Sequence, residues 1–125
     1  MLIIRKEQIG VFETQLGKRF RTTLCGHVRA EFAAKTKDMT DSDLEKLISE
    51  GIERSRSYQV TSERDITLFV DLMFLRGFQF EQDRGLLWAR KILLDQSLDG
   101  ETKMKSIYAR LAALENRTAL PETSP

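Results

Sequence analysis

The sequence predicts an all-α protein, a compact bundle of about five helices packed around a buried central one. Three observations predict it. Apolar residues recur at spacings of three and four along most of the chain, as in a helix that buries one face. Both prolines, Pro121 and Pro125, stand at the extreme C-terminus, so residues 1–120 lack the strongest helix-breaker. No stretch reads as a convincing strand, and no internal repeat is present. With 125 residues, 41% of them hydrophobic, the chain is long and apolar enough to bury a core without a metal or disulfide. One domain is expected over 1–117, followed by a flexible tail over 118–125.

The first helix is read over about residues 5–36. Ile9, Phe12, Leu16, Phe20, Leu24, Val28 and Phe32 form its stripe. Repeated steps of four advance that stripe by about 40° each time, so its two halves should meet different neighbours. Gly10, Gly17 and Gly26 each weaken the helix by up to about 1 kcal/mol relative to alanine, and a bend or break is expected near Gly26. The second helix starts near Thr40 to Ser42, where Thr40 and Asp43 resemble a capping box. Its stripe is Leu44, Leu47, Ile48 and Ile52, and it ends near Tyr58.

The third helix, over about 62–76, is the central one. Thr61 or Ser62 can cap it, Glu63 and Asp65 suit its positive end, and Gly77 stands where a C-terminal cap would. Between these, residues 66–75 are apolar in nearly every direction except a slot at Thr67 and Asp71, which is the pattern of a buried helix. A buried carboxylate needs partners, so Asp71 is expected to accept hydrogen bonds or pair with an arginine of another helix, against the alternative of a functional acid or partner contact. A connector, Phe78 to Glu81, leads to a fourth helix from about Asp83 to Asp95. The last helix is placed over Glu101 to Arg117, with Met104, Ile107, Tyr108, Leu111 and Leu114 on one face.

Composition narrows the function classes. A net charge of +1 argues against a dedicated nucleic-acid binder, which usually carries a strong basic excess. The lone Cys25 cannot form an internal disulfide and suits a reducing compartment. No apolar run approaches the roughly 18 residues that span a bilayer, and Met1-Leu2-Ile3-Ile4 runs straight into Arg5-Lys6, too short for a secretory core. A cytoplasmic location is expected. His27 is the only histidine, and two residues from Cys25 on a helix it points away from that thiol, so it reads as a packed side chain rather than as half of a Cys-His nucleophile. One histidine and one cysteine cannot supply a zinc set, no carboxylate run has calcium-loop spacing, and no glycine falls in a phosphate-binding pattern. No catalytic, cofactor-binding or metal-binding residue is assigned, and the expectation is a protein that binds another protein rather than an enzyme.

Two clusters are the partner-binding candidates. Arg19, Phe20 and Arg21 sit in a segment, Arg5 to Lys37, with eight bases against three acids, whereas Asp38 to Glu53 holds six acids against one base. The simplest account is a basic helix beside an acidic one, with contact to nucleic acid or anionic lipid as the alternative. Phe78, Phe80 and Trp88 surround the loop after the central helix. They either close the core from one end or form a partner patch, since aromatics are enriched at interface hot spots. The turn at Ser57 to Ser62 superficially suggests a helix-turn-helix, but the helix after it offers Phe69, Met73 and Phe74 where a polar, basic reading face is needed.

The stretch Gly51 to Tyr58, then Thr61 to Ile66, Val70 to Phe74 and Gly77, continuing through Trp88-Ala89 and Ile92-Leu93 to Lys103-Met104, resembles a bacterial family of small helical proteins. Its members are encoded beside type VI secretion effectors and their spike or PAAR-type carriers. The likeness covers about residues 50–110 and implies a cytoplasmic chaperone or adaptor for a secreted toxin, whose partner is an effector or secretion carrier. No catalytic residue carries over. The first 45 residues fall outside it and are expected to hold partner specificity. An immunity protein and a nucleic-acid-binding regulator are the rival readings, and a homodimer through the first helix is left open.

Overall fold

The computed structural model describes the backbone of residues 14–123 and the side chains of residues 17–115. The chain is all-α, with no strand among the described residues. The helices are α1 (Thr14–Glu31), α2 (Ala33–Thr36), α3 (Asp41–Ser57), α4 (Glu63–Arg76), α5 (Leu87–Leu94) and α6 (Gly100–Thr123), with 3-10 turns at Phe80–Gln82 and Arg84–Leu86. Read from its sequence as one domain over 1–117, the chain gathers its contacts in two compact units, Met1–Glu53 and Arg54–Pro125.

In the first unit, Leu24 and Val28 of α1 and Leu44, Ile48 and Ile52 of α3 are buried, while Phe20, Phe32 and Leu47 are half-buried. Ile9, Phe12 and the Leu16 side chain lie outside the described residues. The interruption expected near Gly26 falls instead at Phe32, with φ −125° and ψ 48°. A glycine's helical cost of up to about 1 kcal/mol does not break a helix whose ladder is otherwise intact. At Phe32 the amide still donates to the Val28 carbonyl at 2.8 Å and the carbonyl still accepts from the Thr36 amide at 3.1 Å, and two side chains add to these bonds. The Thr36 hydroxyl donates to the Phe32 carbonyl at 3.0 Å. The Arg29 guanidinium donates to the carbonyls of Thr36 and Met39, both at 2.9 Å, and to the Asp41 carboxylate at 2.9 Å. Arg29 therefore joins the end of α1 to the start of α3, and it realises the basic-beside-acidic arrangement at one ion pair. Thr40 caps α3 as expected, its hydroxyl accepting from the Asp43 amide at 3.0 Å.

In the second unit α4 is the core element. Ile66, Phe69, Val70, Leu72, Met73 and Phe74 are buried, and α4 packs on α6 and on the first 3-10 turn. Ser62 is the cap, accepting from the Asp65 amide at 3.1 Å and donating to the Asp65 carboxylate at 2.8 Å. Gly77 ends the helix with φ 124°, a backbone region that side-chain-bearing residues rarely enter. A Ser62→Ala chain is expected to lose about 1 kcal/mol of stability, measured as a lower urea midpoint at unchanged slope.

Two boundaries differ from expectation. The fourth helix begins at Leu87 rather than near Asp83, because the Asp83 carboxylate accepts from the Gly85 amide at 2.8 Å and holds a 3-10 turn instead. The last helix runs on to Thr123, past the expected end at Arg117, with side chains beyond Glu115 outside the described residues.

Candidate functional site

Among the described residues, no group of three or more His, Cys, Asp and Glu side chains is placed to hold a metal ion, and no helix is long and apolar enough to cross a membrane. The helix is continuous through Gly26, so Cys25 and His27 project from opposite sides of α1. Cys25 instead faces a cleft of about 260 Å³ lined by Lys18, Arg21, Thr22, Asp41, Leu44 and Glu45. Burial pushes the Cys25 thiol up, and Glu45 and Asp41 add to it more than Arg29 and Arg21 offset. A thiol held protonated at neutral pH is a poor nucleophile. The cleft has a basic wall on α1 and an acidic wall on α3. Of the expected basic cluster, Arg21 lines it, Arg19 is exposed and Phe20 is half-buried.

The second unit separates the three aromatics grouped in the sequence. Phe80 is 2% exposed, with its ring 5.2 Å from that of Phe69, so it closes the core. Phe78 is 41% exposed and meets Phe74 edge-on at 5.2 Å. Trp88 is half-buried, and the Arg110 guanidinium lies 4.9 Å over its ring, a cation–π pair at the surface.

The loop that presents Phe78 is built on a buried ion pair. Glu81 is 2% exposed and receives Arg54 through both carboxylate oxygens, while the other arm of the guanidinium donates to the Phe78 carbonyl at 2.7 Å. The Tyr58 hydroxyl reaches the same carboxylate at 3.2 Å. Burial alone would raise the Glu81 carboxyl. The Arg54 hydrogen bonds, a backbone bond, the Arg54 charge and the Tyr58 bond together outweigh it and hold Glu81 below the usual range. The same surroundings push the Tyr58 phenol up, burial first and then the Glu81 charge.

A second polar tie crosses behind it. Lys103, 1% exposed, donates to the Tyr58 carbonyl at 2.7 Å and to the Leu93 carbonyl at 2.8 Å, so it caps the C-terminal end of α5 from α6. Tyr108 donates to the Leu68 carbonyl at 2.7 Å, and burial, followed by the charge of Asp71, pushes its phenol well up. Asp71 is half-buried, as its polar slot requires. Neither Glu81 nor Lys103 stood out as a site in the sequence. Charged residues in a helical pattern give no sign of burial until the fold brings their partners.

The arrangement offers exposed apolar and aromatic side chains on turns and helices fixed by buried polar ties. Comparison of the chain with protein families, with curated proteins and with solved structures gives no match.

Proposed function

We propose that the chain is a protein-binding accessory protein, in a chaperone or adaptor role toward a secreted effector or its carrier. The observation that carries this reading is the apolar surface of the second unit. Leu75, Phe78, Leu87 and Leu94, four large apolar side chains within residues 75–94, are exposed. Single exposed leucines are ordinary on any protein, but a concentration of them with an aromatic whose loop is already ordered suits a surface that buries more on binding. The resemblance of residues 50–110 to small proteins of type VI secretion loci supplies the effector or carrier as the partner class.

The test is an affinity capture of the tagged chain from its host cells, with the eluate identified by mass spectrometry. A toxin-like or carrier protein recovered in near-equal amount supports the proposal. A rescue assay in cells expressing that toxin then separates escort from immunity. An Arg19→Glu/Arg21→Glu chain is expected to lose the captured protein if the N-terminal segment sets specificity. Recovery of the chain alone at low and at high salt sinks the proposal.

A further inference from the structure

The outward face of α5 has a composition of its own. Leu87 and Leu94 stand seven residues apart, two turns, and are 49% and 56% exposed. Arg90 and Lys91 lie between them on the same face and are exposed. The opposite face carries buried Ala89 and Leu93. Residues 84–94 contain three bases and no acid. The acids that bracket them are held by their own turns: Asp83 accepts from the Gly85 amide at 2.8 Å, and Asp95 accepts from the Ser97 amide and hydroxyl at 2.9 and 2.6 Å. Among the described residues, no carboxylate forms an ion pair with Arg84, Arg90, Lys91 or Arg110. The Trp88–Arg110 stack borders the face on the side toward α6.

An exposed apolar pair set among cations, beside an aromatic under a guanidinium, matches one chemistry. Leucines or other apolar residues of a partner would cover Leu87 and Leu94, and carboxylates flanking that stripe would meet Arg90, Lys91 and Arg110. We infer that the outward face of α5, bordered by Trp88 and Arg110, docks an acidic amphipathic segment of a partner protein. This rests on the protein-binding function proposed above and names the chemistry of what is bound. Tryptophan and arginine are the residues most enriched at interface hot spots, which places the binding anchor beside the leucine pair. The charges contribute chiefly encounter rate and partner choice.

Trp88 is the only tryptophan in the chain, so its fluorescence reads this face directly. The probe is a helical peptide with leucines at three-four spacing flanked by glutamates, titrated into the full-length chain. The control peptide has lysines in place of the glutamates. The acidic peptide should shift Trp88 emission saturably, while the lysine peptide should not. The Kd should rise about tenfold or more in an Arg90→Glu/Lys91→Glu chain, and in the wild-type chain it should rise with salt. A Leu87→Ser/Leu94→Ser chain with unchanged helicity by circular dichroism should lose the response. Equal binding of both peptides, no response to either, or undiminished binding by the charge-reversed chain would overturn the inference. Anionic phosphatidylglycerol vesicles that shift Trp88 where the acidic peptide does not would overturn it in favour of a lipid surface. The capture experiment separates the two levels. If the charge-reversed chain still retains the captured protein, the α5 inference fails and the protein-binding function stands. If the wild-type chain captures nothing but binds the acidic peptide, the α5 docking chemistry stands and the chaperone or adaptor role toward an effector or carrier fails.

Discussion

An Arg54→Ala chain is expected to unfold about 3 kcal/mol more easily than the wild type at neutral pH, because it strands a buried charge. Glu81 keeps its burial and loses both guanidinium bonds, with the Tyr58 hydroxyl and a backbone bond left at its carboxylate. The Phe78 carbonyl loses its donor as well, and the cation 5.6 Å from the Phe69 ring goes with it. The pair is sheltered enough for this to register, with the Arg54 side chain 21% and the Glu81 side chain 3% exposed. The pH dependence fixes the cause. In the wild type the Glu81 carboxyl lies below its ordinary value of 4.5, so its contribution is fully present above that pH and is lost as pH falls through the folded-state value. Without Arg54, burial is no longer outweighed, and the carboxyl takes up its proton at higher pH. The gap between the two chains should therefore be widest at neutrality and narrow as the pH falls toward and through the ordinary carboxyl value of 4.5. Urea unfolding followed by circular dichroism across that range is the measurement. A gap that stays constant down to about pH 3 would show that lost packing, not the stranded charge, causes the destabilisation.

Lys103→Met is the second large effect. Methionine replaces most of the lysine stem, so the core volume is nearly kept and the polar head is the main loss. Two opposing terms compete. Removing a buried ammonium removes its desolvation cost, and leaving the Tyr58 and Leu93 carbonyls without their donor costs about 1–3 kcal/mol each. The carbonyls win, because the ammonium sits at the C-terminal end of α5 where the helix dipole favours a cation. A net loss of about 2 kcal/mol follows, with faster hydrogen exchange localised to the end of α5 and the 58–60 turn. A Lys103→Met chain as stable as wild type would mean that the ammonium and its two carbonyls merely offset their own desolvation.

Much of this fold was legible because helical periodicity and capping are local. Ser62, Gly77 and the Thr40–Asp43 contact could be read from neighbouring residues, and the apolar run over 66–75 announced a buried helix. Three boundaries were not legible, the end of α6 among them. The start of α5 depended on Asp83 choosing a turn over a helix cap, a contest between two local hydrogen-bonding schemes of similar energy. The interruption of α1 depended on Arg29 reaching carbonyls seven and ten residues away. The surface was legible only in type. Phe78, Phe80 and Trp88 surround one loop in the sequence, but which aromatic points inward is decided by Phe69 and the Arg54–Glu81 pair, partners distant in the chain. The α5 face escaped notice because leucines at 87 and 94 fit a buried stripe as well as an exposed one.

The polar ties of the two units differ in how much chain they enclose. Those of Arg29 span seven to twelve residues. Those of Arg54 and Tyr108, and the bond from Lys103 to the Tyr58 carbonyl, span 24 to 45. Closing longer loops costs more chain entropy, and contacts of wide separation slow assembly. During synthesis, everything Arg29 grips has been made once Asp41 is added. Arg54 waits for Glu81, and the Tyr58 carbonyl waits for Lys103. The order of translation thus leaves the final turn of α3 without its partner until Glu81 is made, and the turn after it without Lys103 until α6 is under way. Until Glu81 is made, Arg54 has nothing to hold it in place, and the segment that will anchor the Phe78 loop is open to a chaperone or a protease.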